Sequence, residues 1–139
     1  MPTKRASEKQ TLPFRYKVYK KLRLVISIGS GRVTADEIKA RQDETSTDPD
    51  FDPHFDQIVD LREVTGFDMS AEQLRTLARR RVFSGNSRRA FVGVSPSIYG
   101  TELLWQVHNE VSENPSQIRI FSDLRAALEW LEIADSSII

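Results

Sequence analysis

The order of strand-like and helix-like segments is the feature that most limits how this chain can fold. Residues 14–20 and 22–28 alternate apolar with polar side chains, which is the period of half-buried strands, and Lys20-Lys21 is the predicted turn between them. Gly29-Ser30-Gly31 is predicted to end the second strand. Three short apolar runs predict further, buried strands at residues 55–61, 90–94 and 118–121.

Each predicted helix follows a capping signal. Ser or Thr followed three residues later by Gln or Glu opens the first two helices, the first of which is predicted over residues 35–45. Ser-Pro opens the third and Ser-Asp the fourth. The capping residues are Thr34, Ser70, Ser95 and, for the last helix, Ser122-Asp123. Apolar residues at helical spacing predict the buried face of the third helix at Leu103, Leu104, Val107 and Val111.

The resulting order is β-β-α-β-α-β-α-β-α, which predicts an α/β fold. Strands that alternate with helices are joined by right-handed crossovers into a largely parallel sheet. We therefore expect a five-stranded mixed, mainly parallel sheet with about four helices and an antiparallel hairpin at one edge. Residues 14–133 form the predicted domain, preceded by a flexible leader at 1–13 and followed by a tail at 134–139.

Composition excludes several classes of protein. The 139 residues are 39% hydrophobic and 29% charged, as in globular domains, and the formal net charge is zero. The absence of cysteine excludes disulfides, a thiolate nucleophile and cysteine-based metal sites. No apolar run approaches the roughly 18 residues of a membrane span, so we expect a cytoplasmic protein. A net charge of zero also argues against the broad basic surface that binds nucleic acids, so no nucleic-acid partner is expected.

Charge is strongly segregated along the chain. Residues 1–35 contain nine lysines and arginines and a single acid, Glu8. The acidic residues that follow are concentrated at Asp43, Glu44, Asp48, Asp50, Asp52 and Asp56. These patches of opposite sign could pair within the molecule or between copies. We expect a homodimer in which the edge hairpin, residues 14–28, meets the acidic loop, residues 48–56, of a second copy, because exposed sheet edges tend to be covered.

Residues 58–70 carry a resemblance to a known family. The run Ile58-Val59-Asp60-Leu61 is followed by the turn Asp68-Met69-Ser70-Ala71, and this is similar to the signature of the STAS domain, the SpoIIAA-like fold of anti-sigma-factor antagonists. The ending Asp123 to Leu131, with the pattern D-L-x-x-A-L-x-W-L, also resembles single-domain STAS-like or SEC14-like bacterial proteins of unknown function.

The resemblance implies a non-enzymatic regulatory domain that docks on a protein partner, such as a kinase-like regulator. In the family, a serine of an Asp-Ser-Ser-Gly turn is phosphorylated, and Ser70 stands at the matching position with Asp68 before it. Met69 and Ala71 depart from that turn, and a turn without glycine has less backbone freedom. The alternative interpretation is that Ser70 is an ordinary helix cap. The docking surface is expected around residues 67–81.

Six arginines form a second candidate surface. They follow one another without an intervening acid, at Arg75, Arg79, Arg80, Arg81, Arg88 and Arg89. Guanidinium groups bind phosphate or acidic protein surfaces, but most charge runs are solvated helix faces. Both interpretations stay open from the sequence.

Polar residues also collect where predicted strands end and helices begin. Besides Asp68 and Ser70, these candidates for the polar end of a ligand site are Ser95, Ser97, Tyr99 and Ser122. Open α/β sheets bind ligands at the carboxyl ends of their strands. The SEC14-like resemblance implies a small apolar or lipid-like guest, so a ligand carrier is the alternative to the docking domain, and an anion- or nucleotide-binding module is a further one. A deep cavity between helices and sheet would favour the carrier.

No catalytic, metal or cofactor site is predicted. The acidic loop around His54 lacks the glycine and the final carboxylate of an EF-hand, and Gly29-x-Gly31 is only half of a dinucleotide fingerprint. His54 and His108 are the only imidazoles, and no serine stands in a G-x-S-x-G elbow.

Overall fold

The computed structural model describes residues 12–93 and 117–134, which contain a five-stranded sheet in the order β1-β2-β3-β4-β5. The strand β1 is antiparallel to β2, and β2, β3, β4 and β5 are parallel to one another. This confirms the mixed, mainly parallel sheet with a hairpin at one edge. The strands are β1 (Phe14–Tyr19), β2 (Leu24–Thr34), β3 (Asp56–Asp68), β4 (Arg89–Val92) and β5 (Ile118–Phe121).

Three α-helices lie in the described part of the chain. They are α1 (Ala35–Thr47), α2 (Ala71–Arg79) and α3 (Leu124–Trp130). The predicted helix that follows Ser95, with Leu103, Leu104, Val107 and Val111, lies outside the described residues. A short 3-10 turn, Lys20–Leu22, replaces the simple Lys20-Lys21 turn of the hairpin, and Arg23 closes it in the left-handed region.

The capping signals place the starts of the three described helices correctly. The Thr34 side chain accepts a hydrogen bond from the Glu37 amide at 3.2 Å, and Ser70 forms a complete capping box with Gln73. At α3 the cap is Asp123, which accepts from the Ala126 amide at 2.8 Å. Each cap satisfies an amide that the first helical turn leaves without a partner.

The two faces of the sheet carry separate cores because side chains alternate along each strand. On one face, Leu24, Ile26 and Ile58 pack with Ala127 and Leu128 of α3. On the other face lie Phe14, Val33, Val59, Leu61, Val64, Phe91 and Ile118, with Ile38 of α1 packed against them. This second face holds the cavity described below.

Strands β2 and β3 are longer than predicted, and this corrects two expectations. Gly29-Ser30-Gly31 does not end β2, which continues to Thr34, and β3 does not end at Leu61 but continues to Asp68. The register shifts between Ile28 and Ser30 and again between Gly31 and Arg32, so the ladder resumes after each irregularity. Gly31 has a φ of +64°, a conformation that glycine adopts without a steric penalty.

The acidic loop between α1 and β3 is attached to the rest of the domain by its aromatic residues and its charges. Phe51 makes edge contacts with Phe55 and Phe83, and Phe55 is buried. The Tyr16 hydroxyl donates to the Asp48 carboxylate at 2.9 Å, and burial together with this bond raises the pKa of Tyr16. The basic hairpin and the acidic loop therefore meet within one molecule. The homodimer stays a prediction.

Two glycines with positive φ provide a test of the fold. Gly31→Ala should lower the free energy of unfolding by about 1 kcal/mol, because φ is positive but open space surrounds the new Cβ. Gly93→Ala should cost clearly more, because φ is +75° and its Cβ would lie 2.8 Å from the Arg62 Cα. Urea unfolding of both variants measures the difference, and equal losses would contradict the tight packing of Gly93 on β3.

Candidate ligand-binding site

A cavity of about 160 Å³ lies between the second face of the sheet and the helices α1 and α2. Residues 80–87, which connect α2 to β4, form a further wall. Half of the lining residues are aliphatic or aromatic: Phe14, Ile38, Val59, Leu61, Phe67, Leu74, Leu77, Ala78, Val82, Phe83, Phe91 and Ile118. The helix periodicity of α2 explains part of this wall, because Leu74, Leu77 and Ala78 share one face.

A row of three polar side chains crosses the floor of the cavity. Ser27, Gln57 and Arg89 lie on the neighbouring strands β2, β3 and β4, and Gln57 is paired in register with Arg89. Arg89 donates from Nε to the Gln57 side-chain oxygen at 3.0 Å, and the Gln57 amide donates to the Ser27 hydroxyl at 2.9 Å. Ser27 and Gln57 are buried, and their hydrogen bonds offset the loss of water.

Arg89 has an unusual environment for a cation. Its guanidinium carbon lies 5.6 Å from the ring centre of Phe83 and 5.9 Å from that of Phe91. No carboxylate of residues 12–93 or 117–134 forms an ion pair with it. Burial away from water lowers the pKa of Arg89 to about 10, so the side chain is still charged at neutral pH.

Two other arginines of the lining are neutralised by acids of α1. Arg80 forms an ion pair with Asp43 and donates to the Gln42 side-chain oxygen at 3.0 Å. Arg41 lies with its Nε 2.9 Å from the Glu44 carboxylate. Their charges are therefore balanced locally, and the charge of Arg89 is not balanced in this way.

The cavity lies toward the amino ends of the parallel strands, where β4 and β5 begin with Arg89 and Ile118. The sequence analysis predicted a ligand site at the opposite, carboxyl ends of these strands. Of the polar residues predicted there, Ser95, Ser97 and Tyr99 lie outside the described residues, and Ser122 is exposed and does not line the cavity. A ligand site at the carboxyl ends stays a prediction.

Asp68 and Ser70 lie together at the start of α2, away from the polar row of the cavity. Asp68 forms a bidentate pair with Arg32 of β2, and this hydrogen bonding lowers the pKa of Asp68. Ser70 is exposed, and its hydroxyl accepts from the Gln73 amide at 3.1 Å. The geometry is that of a helix cap whose side chain is also open to solvent.

The six predicted arginines do not lie in one place. Arg88 and Arg89 are neighbours on the chain, but Arg88 donates to the Asp56 carboxylate and to carbonyls at the end of α3, whereas Arg89 lines the cavity. Arg80 and Arg81 line the cavity as well, and Arg79 is exposed on α2. Arg75, also on α2, is half-buried. Arg89 is thus distinguished from the others by its position rather than by its sequence context.

His108 lies outside the described residues, and the other sequence candidates are not grouped for metal binding. Within residues 12–93 and 117–134, no group of three His, Asp or Glu side chains is placed to hold a metal ion. His54 is exposed, and its Nδ1 lies 3.0 Å from the Asp52 carboxylate. No helix in the same part of the chain is both long enough and apolar enough to cross a membrane.

Ser27 and Gln57 were missed by the sequence analysis. Both lie in predicted strands at positions that alternate with core residues, so each is a polar residue at an inward position. A polar residue at a position predicted to face the core was the sequence signal that could have identified both residues. Only the sheet register shows that the two residues lie beside each other and beside Arg89.

Comparison with solved structures agrees with this architecture. An uncharacterised protein of the DUF3478 family from Shewanella loihica PV-4, described as having a SpoIIAA-like fold, superimposes with a TM-score of 0.52 and 20% sequence identity. The match covers 78% of this chain and 83% of that one. The fold is therefore SpoIIAA-like, as the STAS resemblance implied. No family model matches the sequence, and no curated protein is significantly similar to it.

Ser70→Ala should lower the free energy of unfolding by about 1 kcal/mol, because the α2 cap loses its acceptor. Ser122→Ala is the matched control and should have almost no effect, since Asp123 caps α3. Urea unfolding monitored by circular dichroism compares the two. Equal losses would contradict the assignment of Ser70 as the cap.

The cost of holding Arg89 without an acidic partner is also measurable. The triple variant Ser27→Ala/Gln57→Leu/Arg89→Met should be more stable than the wild type by about 1 kcal/mol, because apolar groups replace the desolvated charge and both of the polar side chains that form its hydrogen-bonded row. Arg89→Met alone should be less stable than the triple variant, since it leaves the Gln57 oxygen without a donor. Arg79→Met, an exposed control, should be neutral. A triple variant less stable than the wild type would contradict this account of Arg89.

Proposed function

We propose that this domain is a non-catalytic binding module whose cavity takes a small, mostly apolar molecule. The observation that carries the proposal is the cavity itself, which is open space between sheet and helices where a solid core would otherwise lie. Binding sites for small molecules are typically apolar clefts with a few convergent polar groups. The row of Ser27, Gln57 and Arg89 supplies such groups.

The volume indicates the size of the guest. A cavity of about 150 Å³ in another protein accommodates benzene, and this cavity measures about 160 Å³. A single ring or a short branched chain therefore fits, whereas a complete membrane lipid would extend far beyond it. Phe83 and Phe91 provide aromatic surfaces against which a ring can pack.

The side chains of the lining support binding rather than catalysis. The described lining residues include no histidine, aspartate, glutamate, lysine, cysteine or tyrosine. These residue types supply most general acids and general bases, and the serine and threonine hydroxyls of the lining would need such a base to act as nucleophiles. Amides, hydroxyls and guanidinium groups can orient a ligand by hydrogen bonds without transferring a proton at neutral pH.

Docking on a regulatory partner through α2 is a second candidate function. Its support is the exposure of Ser70, since a hydroxyl must reach solvent to be phosphorylated. A phosphate at this helix start would be stabilised by the free amides and the helix dipole. The two functions are compatible, because Leu74 and Leu77 of α2 line the cavity while Ser70 faces solvent.

Fluorobenzene is a ring-sized neutral probe for the cavity. Its ¹⁹F NMR signal should shift or broaden on addition of the protein, because the bound ring lies beside aromatic side chains. Ala78→Phe should abolish the effect, since the new ring occupies the cavity from α2. Thr76→Phe adds the same ring to the exposed side of α2 and should leave binding unchanged.

Two results would contradict the proposal. One is the absence of any fluorobenzene signal change at millimolar probe and folded protein. The other is binding that Ala78→Phe and Thr76→Phe affect to the same extent. Circular dichroism of both variants establishes that each is folded.

A further inference from the structure

We infer that the cavity selects a ring-sized or short-chain molecule that carries one carboxylate group, and that Arg89 binds this carboxylate. The inference rests on the proposed function, because it names the chemical class of the guest in the same cavity. It adds a requirement that a merely apolar cavity does not have: a negative charge at one end of the ligand.

The first argument is the charge of Arg89. Its side chain is partly buried between Phe83 and Phe91, and no acid among the described residues neutralises it. A desolvated charge without a partner is unfavourable, and such groups concentrate at sites of function. A ligand carboxylate would neutralise the guanidinium where the protein itself supplies no counter-ion.

The second argument is the direction of the hydrogen bonds in the polar row. Arg89 can only donate, so the Gln57 oxygen faces Arg89 and the Gln57 amide faces Ser27. The Ser27 hydroxyl oxygen accepts a hydrogen bond from Gln57, which leaves the hydroxyl hydrogen available to a further acceptor. The row therefore offers donors to the cavity from Arg89 and Ser27, and a ligand that complements it must present acceptor oxygens.

The third argument is positional rigidity. The Arg89 Nε bond to Gln57 holds the guanidinium plane, and the two rings lie within 6 Å of its centre. The terminal nitrogens have no acceptor among the described residues. Their fork matches the two oxygens of a carboxylate, and a pre-positioned donor pair binds with little loss of side-chain entropy.

The charge balance favours a carboxylate over a phosphate. Arg41 and Arg80 already have carboxylate partners on α1, so their positive charges are compensated. Arg81, the fourth arginine of the lining, is exposed, and its charge is solvated. A carboxylate matches the single charge of Arg89. A phosphate monoester dianion would bring a second negative charge into a largely apolar cavity, where unpaired charge is costly.

A matched set of ¹⁹F NMR titrations tests the inference. 4-Fluorobenzoate and 4-fluorobenzamide have nearly the same size and shape, but only the first is charged. We expect the benzoate to bind the wild type about tenfold or more tightly than the amide, as expected for a charge-assisted hydrogen bond in place of a neutral one. In Arg89→Met, shown to be folded by circular dichroism, this preference should disappear. Arg79→Met removes an exposed arginine outside the cavity lining and should keep the preference.

The outcomes separate the inference from the proposed function. Fluorobenzene binding with equal affinities for benzoate and amide would overturn the carboxylate inference and leave the cavity function intact. Absence of binding by all three probes would overturn both. A benzoate preference that persists in Arg89→Met, with that variant folded, would overturn the role of Arg89. Tighter binding of phenyl phosphate than of benzoate, measured by competition, would overturn the choice of carboxylate.

Discussion

The parallel pairing of β2 with β3 is the constraint on which the other features of this domain depend. It continues from Leu24 and Asp56 to Thr34 and Asp68 through two changes of register. The first part of the ladder places Ser27 beside the strand that carries Gln57, and the last part brings Arg32 to Asp68 just before α2 begins. An uninterrupted ladder without the irregularities at Gly29–Gly31 would shift residues 32–34 by two positions relative to β3 and pair Thr34 with Gly66 instead of Asp68.

The two faces of the sheet differ in composition: one face carries an apolar core, and the other face carries the cavity. The face covered by α3 carries an apolar core, with Leu24, Ile58 and Leu128 almost inaccessible to solvent, and its buried carboxylate, Asp60, is paired with Arg62. The opposite face combines an apolar cluster with the buried hydroxyl of Ser27, the buried amide of Gln57 and the partly buried charge of Arg89. Polar groups in such positions weaken a core unless they are hydrogen-bonded, and a binding site is a physical reason for their presence there.

Electrostatics operates locally in this protein. The chain has zero formal net charge, and its segregated acidic and basic segments meet in the folded domain through Tyr16 with Asp48, Arg80 with Asp43 and Arg88 with Asp56. These contacts connect the hairpin, α1 and the segment before β4 to one another. Arg89, on the cavity floor, forms no ion pair with an acid of the described residues. A count of charges along the sequence does not distinguish Arg89 from the neighbouring arginines.

The sequence by itself determined the class of fold and the starts of the described helices. Alternation along β1, the apolar run of β4 and the caps Thr34, Ser70 and Asp123 are local signals, and local sterics and hydrogen bonding are sufficient to interpret them. The extension of β2 and β3 was decided by the tertiary structure, because a strand continues only as far as the neighbouring strand supplies backbone hydrogen-bonding partners. The cavity was decided there too. Ser27, Gln57 and Arg89 are far apart in the chain, and only the sheet register brings a hydroxyl, an amide and a guanidinium into one hydrogen-bonded row.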